Sequence, residues 1–330
     1  MTPDETAADE TAGQQLEAAI LGEHVVYNAL EVAAETGATI EQAQRLWRAL
    51  GFPDRGGERA FTQADADAVS TLLRLVDDDV IDFDMAVDLT RAVGQTMARL
   101  ADWEVGTLIH RVQELASDDA NGSRATAALH LVEGLNEPFE RLLVYVWRRH
   151  LAAATARVEA LGADEADLHT TQVTVGFADI VQFTALTNRL DHARIGDLVE
   201  IFESRCADVV AGQGGRVIKS LGDAVLFVNE DAIRAYDTAE GIIAVIGRDQ
   251  RMPDVRVGLS TGSVVTRLGD VFGPPVNLAA RLTAVARRNR IIVDSTTADR
   301  LPQDQFEARP LPARPVRGFG VVEPVAVRRH

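Results

Sequence analysis

The sequence predicts an α+β protein in two parts: an all-helical N-terminal region, then a domain whose sheet carries helices on one face. Three observations predict this. Apolar residues recur at three- and four-residue spacing almost throughout residues 14–161. After residue 171, short β-branched runs alternate with helical stretches. The acidic excess belongs to the first part, because residues 1–150 hold 27 Asp/Glu against 12 Lys/Arg, while residues 151–330 hold 23 against 21.

Residues 1–13 are small, acidic and aperiodic, and read as a disordered tail. Within 14–161, Val69, Leu72, Leu73, Leu75 and Val76 form one apolar cluster, and Leu108, Ile109, Val112 and Leu115 another. Asn136 followed by Pro138 marks a helix start. The helix behind it shows an apolar face of Phe139, Leu142, Leu143, Val146, Leu151, Ala154, Val158 and Leu161, stopped by Gly162. Residues 162–171 read as a polar linker into a second domain, 172–330. There, strands are expected at 172–180, 216–220, 224–228, 255–261, 263–267 and 290–294, with helices at 188–211, 231–247 and 276–288. The turn LGD joins 216–220 to 224–228 as a hairpin, and Gly262 reads as a second tight reversal.

Composition narrows the function classes. At 46% apolar and 25% charged, the chain has enough apolar residues for a real core. No apolar run approaches the roughly 18 residues of a bilayer span, and the N-terminus lacks the basic and apolar segments of a signal peptide. A cytoplasmic protein with no membrane partner is expected. One cysteine excludes an intramolecular disulfide and a multi-cysteine zinc site. Cys206 shares a helical face with Ile195, Leu198, Phe202 and Val209, so it reads as core. The seven histidines show neither HxxxH nor HExxH spacing, which disfavours a histidine metal site.

Several residues carry candidate chemistry. Asp179 ends the apolar run VTVGFADI and Asp223 sits in the LGD turn, so two carboxylates at strand edges could converge on one or two divalent cations. Lys219 is the only lysine among 33 basic residues. Its compact ammonium does what a planar guanidinium fork cannot. Asp270 precedes a Gly-Pro-Pro bend, and on the following helix Asn277 and Arg281 are i and i+4, an amide and a guanidinium on one face.

FADIVQFT, KSLGDAVLF and DVFGPPVNLAAR together resemble the catalytic domain of class III nucleotide cyclases, over roughly residues 172–330. The resemblance implies a ferredoxin-like sheet, ATP as substrate and Mg²⁺ or Mn²⁺, two per site. It assigns metal binding to Asp179 and Asp223, purine recognition to Lys219 and Asp270, and ribose orientation and transition-state stabilisation to Asn277 and Arg281. It adds Phe177 and Thr184 as substrate contacts, and Arg317 in RPVRGFG where the family commonly has a lysine for the terminal phosphates. Glycine is frequent in the family where Gln182 stands. The family builds each site across a dimer, which implies a head-to-tail homodimer with two shared sites.

The purine reading also has a direct chemical basis. Adenine offers an N1 acceptor and an N6 donor, which a lysine and an aspartate complement; guanine reverses both polarities. Each mismatch costs roughly 1–3 kcal/mol, so ATP is expected over GTP.

Residues 30–68 resemble two things, the helix-turn-helix of small DNA-binding regulators and the regulatory domain of mycobacterial-type soluble cyclases, some of them pH-responsive. The acidic balance weighs against nucleic acid. The expected function is adenylyl cyclase regulated by its N-terminal helices. The alternative is a degenerate cyclase fold that binds nucleotide or a signalling partner without turnover.

Overall fold

The computed structural model describes residues 12–53, 55–118, 124–160, 170–267 and 269–330. Most of the expected tail and linker lies outside them, as does the expected stop at Gly162. The chain divides into two compact units, Met1–Ala156 and Arg157–His330.

The first unit is helical. α1 (Ala12–Leu21), α2 (Ala29–Thr36), α3 (Ile40–Leu50) and α4 (Gln63–Asp77) precede two long helices, α5 (Phe83–Asp118) and α6 (Arg124–Ala160). Side-chain caps start the short helices: Asn28 with Glu31, Thr39 with Gln42 and Thr62 with Asp65 each satisfy free N–H groups reciprocally. Their core holds Val32, Leu46, Val69 and Val87, with the Trp47 and Phe61 rings stacked 4.1 Å apart.

The helix expected to begin at Asn136–Pro138 begins at Arg124, and Pro138 lies inside it. The run RATAALHLVEGL is rich in good helix formers and continues the helix upstream, although Pro138 has no N–H to offer. Asn136 caps a different helix: its amide donates to the carbonyls of Ala19 and Ile20, at 2.9 and 3.4 Å, in the last turn of α1.

The second unit begins with β1 (Thr170–Ile180), α7 (Phe183–Thr187), α8 (His192–Gly212), β2 (Arg216–Ser220), β3 (Ala224–Asn229), α9 (Ala232–Gly247) and β4 (Val255–Arg267). β5 (Asp270–Phe272), α10 (Pro274–Val285), β6 (Ile291–Val293), α11 (Ser295–Ala298) and β7 (Phe306–Pro310) follow. β8 (Arg314–Val316), β9 (Gly320–Val322) and β10 (Val325–Arg329) end the chain. The sheet runs β2-β3-β1-β4-β6-β10-β7, with β5 on β4, and β8-β9 form a separate hairpin. Read from β4, the order β4-β1-β3-β2 with α8 and α9 as crossovers is the ferredoxin-like arrangement.

Alternation along the strands divides the core in two. Ala178, Ile180, Val225, Phe227, Val257 and Leu259 meet the side of α8 and α9 that carries Phe202, Cys206, Tyr236 and Ile242. Val173, Val175, Phe177, Leu226 and Val228 point the other way, against Val276 and Ala279 of α10. α8 and α9 thus share one face, as expected, while the shorter α10 lies across the other, where no helix was expected.

The reversal expected at Gly262 does not occur. β4 is one strand of 13 residues, and the chain turns back only before β5. Gly262 serves close approach instead, since a Cβ there would lie 2.7 Å from Pro275 Cγ. Gly258 does the same under the middle of α10, where a Cβ would lie 2.4 Å from Thr283 N and 2.5 Å from Ala279 O. These are backbone atoms that cannot swing aside. Replacing Gly258 by alanine should therefore lift α10 off the sheet and destabilise the chain by about 1–3 kcal/mol. A thermal melt indistinguishable from wild type would refute that packing.

Candidate functional site

The β1–β4 ladder runs antiparallel from Thr170↔Val265 to Ile180↔Val255 and sets the first part of the site. At its end Asp179 faces the α10 side of the sheet, opposite Arg256 on β4 and Ala224 on β3. Asp223 immediately precedes Ala224, and its carbonyl accepts from Ile180 N at 2.9 Å. Asp179 and Asp223 therefore lie at one end of adjacent strands, close enough for the Asp223 charge to act on the Asp179 carboxyl.

Arg256, which the sequence analysis did not single out, binds Asp179 Oδ2 through Nε and Nη2, both at 2.6 Å. Burial holds the Asp179 carboxyl above its ordinary value; the Arg256 guanidinium opposes that shift, and the Asp223 charge adds to it. The only sequence signal for Arg256 was its place on an apolar strand, which registers as a pairing partner of Asp179 only once the ladder is known.

Two half-buried carboxylates with a bound guanidinium form a site suited to cations. No cluster of three or more His, Cys, Asp or Glu able to hold a metal exists among the described residues. Such a pair fits a hard cation like Mg²⁺, which keeps waters and takes further oxygens from a substrate phosphate.

A second group lies on β2 and β5. Lys219 Nζ and Asp270 Oδ2 are 2.5 Å apart, about a third exposed. Asp270 Oδ1 accepts from Val271 N at 2.8 Å, which fixes the carboxylate plane. Asn277 and Arg281 form a third group on the exposed side of α10, away from the sheet, because Ala279, Leu282 and Thr283 take the buried side. Neither side chain makes a hydrogen bond or ion pair among the described residues. Arg317 is exposed in the turn between β8 and β9, and Thr184 is exposed on α7.

Phe177 departs from expectation. It is 8% exposed in the core beneath α10, and its carbonyl accepts from Thr283 Oγ1 at 3.2 Å. Its side chain is nearly all taken up by that packing, which leaves little surface for a substrate. Gln182 has φ 59°, the left-handed region that glycine enters without strain, which accounts for glycine at this position in the resembled family.

The model of the adenylate and guanylate cyclase catalytic domain matches residues 166–327. An adenylate cyclase of Streptomyces coelicolor is 39% identical, over 96% of this chain and 89% of its own length. A pH-sensitive adenylate cyclase of Mycobacterium tuberculosis is 29% identical, over 91% and 77%. Among solved structures, the catalytic core of a rhodopsin-guanylyl cyclase with converted specificity, in complex with ATPαS, superposes with a TM-score of 0.46. That likeness is at 25% identity and covers 49% of this chain and 98% of the other.

A carboxylate must be deprotonated to hold a cation. Since the Asp179 carboxyl is raised, Mn²⁺ binding followed by electron paramagnetic resonance should fail at a higher pH, on acidification, than for an ordinary carboxylate pair. It should be weak at every pH in Asp179→Asn. Equal affinity in that variant would remove Asp179 from the cation site.

Proposed function

Because the chain belongs to the family of adenylate and guanylate cyclase catalytic domains, the class III nucleotide cyclases, we propose that it is an adenylyl cyclase converting ATP to 3′,5′-cyclic AMP and pyrophosphate. The Lys219–Asp270 pair is the observation that carries the choice of ATP. Lys219 has three protons, and only one is committed to Asp270. A second can go to adenine N1, while a free lone pair on Asp270 Oδ2 accepts from N6–H. The pair reads adenine without separating, and guanine would face donor with donor.

In the reaction the ribose 3′-oxygen attacks the α-phosphorus, its proton leaves, and the bond to the β-phosphate breaks to release pyrophosphate. Asp179 and Asp223 would hold two divalent cations, Mg²⁺ or Mn²⁺, which when bound acidify the 3′-hydroxyl and neutralise triphosphate charge. Asn277 would orient the ribose, and Arg281 would stabilise charge developing on the α-phosphate. Arg317 and Thr184 would contact the phosphates.

The exposed, uncommitted Asn277 and Arg281 support a site completed by a second copy, in a head-to-tail homodimer with two shared sites. The helical unit would then regulate turnover, α6 being the last helix before β1 in the chain; the pH-sensitive relative supports pH as the stimulus. No helix among the described residues is long and apolar enough to cross a membrane. A non-catalytic module is disfavoured because all six residues assigned to metal, purine and transition state are in place.

Arg281→Ala should lower kcat by about 100-fold or more with a modest change in KM; a near-normal kcat would remove its role. Asp270→Ala should cost ATP roughly 10- to 100-fold in kcat/KM and narrow the preference over GTP. Asp179→Ala mixed with Asn277→Ala protein should regain activity, and no rescue would argue against a shared site.

A further inference from the structure

The Arg256 guanidinium bridges two parts of the domain. Nε and Nη2 hold Asp179 Oδ2, while Nη1 donates to the Ala284 carbonyl at 3.0 Å. Ala284 lies in the last turn of α10, where carbonyls lack partners within the helix. This helix has no left-handed glycine cap, since Ala286 leaves it in extended conformation, with φ −67° and ψ 141°. Its end is thus capped by a side chain from the neighbouring strand, and that cation also suits the negative end of the helix. Arg288, just beyond, is directed elsewhere, to Asp254 at 3.5 Å.

We infer that Arg256 is a positioning residue that couples cation loading at Asp179 to the last turn of α10. The inference rests on the reading of Asp179 as a cation ligand. A divalent cation on Oδ2 takes the acceptor that two of the guanidinium nitrogens use, and repels the guanidinium. Arg256 then leaves its bridging position and the Ala284 cap opens. The middle of α10 stays fixed, because Thr283 Oγ1 still donates toward Phe177 O and Gly258 still sits beneath it. The change is confined to residues 281–286, and Arg281 is among them.

In the shared-site dimer, the α10 of one copy serves the carboxylates of the other. A cation entering one site therefore loosens the helix end that serves the second site, and turnover at that second site slows.

Hydrogen exchange on the full chain without nucleotide tests the local step. Mn²⁺ should speed exchange several-fold at the amides of residues 281–286, and Asp179→Asn should do so without metal. Arg256→Lys, whose single ammonium cannot span both acceptors, should exchange fast from the start and ignore Mn²⁺. Protection elsewhere in β1 and β4 verifies that each variant is folded. Unchanged protection at 281–286 when resonance spectra show Mn²⁺ bound, or wild-type protection in Arg256→Lys, overturns the coupling. Loss of Asp179-dependent Mn²⁺ binding is seen separately in those spectra; it overturns the cation reading and the coupling with it.

Mixed dimers test the cross-site step. Asn277→Ala protein paired with Asp179→Asn has one intact site, served by an α10 whose cap is released. Paired with Asp223→Asn, it has one intact site with the cap closed. The first mixture should turn over several-fold more slowly per intact site; equal or faster turnover overturns the cross-site step.

Discussion

The antiparallel ladder between β1 and β4 is the constraint on which the catalytic unit depends. Its register sets Asp179 directly opposite Arg256. The same strand then presents Gly258 and Gly262 toward α10, two residues apart from each other's neighbour Ser260 and on one face by simple alternation. A one-residue slip would turn Asp179 toward α8 and α9, bury its charge among Phe202 and Ile242, and place branched side chains where α10 must lie. Catalytic geometry and core packing are fixed by one set of hydrogen bonds.

Much of this could be read in advance, for identifiable reasons. Asp179, Asp223, Lys219, Asp270, Asn277 and Arg281 stand in short motifs with fixed spacing, so local sequence carried them. The strands 216–220 and 224–228 emerged because a Gly-containing turn separates two β-branched runs. What stayed hidden depends on contacts distant in sequence. Gly262 looks like a turn residue until Pro275, 13 positions later, is known to lie against it. Arg256 resembles any charged residue on a strand until the ladder pairs it with Asp179. Pro138 looks like a helix start because the partner of Asn136, the end of α1, lies more than a hundred residues away. The strands after residue 300 are short and mostly exposed, so their pattern is faint. Phe177 was assigned to the site by resemblance alone; two residues before Asp179 it shares that residue's strand face, but it lies packed beneath α10.

The solitary lysine gains a physical explanation from the same geometry. Arginine meets every other need for a cation in this chain, from Arg256 at Asp179 to Arg205 at Asp249. A guanidinium opposite Asp270 would form a planar bidentate fork and consume both carboxylate oxygens. Oδ1 already accepts from Val271 N–H, so such a fork would leave the carboxylate fewer free lone pairs for a purine. A tetrahedral ammonium needs only Oδ2 and keeps two further donors at other angles. Those spare donors, and the remaining lone pair on Oδ2, are the groups that would meet an adenine edge in the proposed reading. On the proposed reading, the preference for ATP rests on a charge small enough to be shared, and an arginine at 219 would keep the ion pair while losing the recognition.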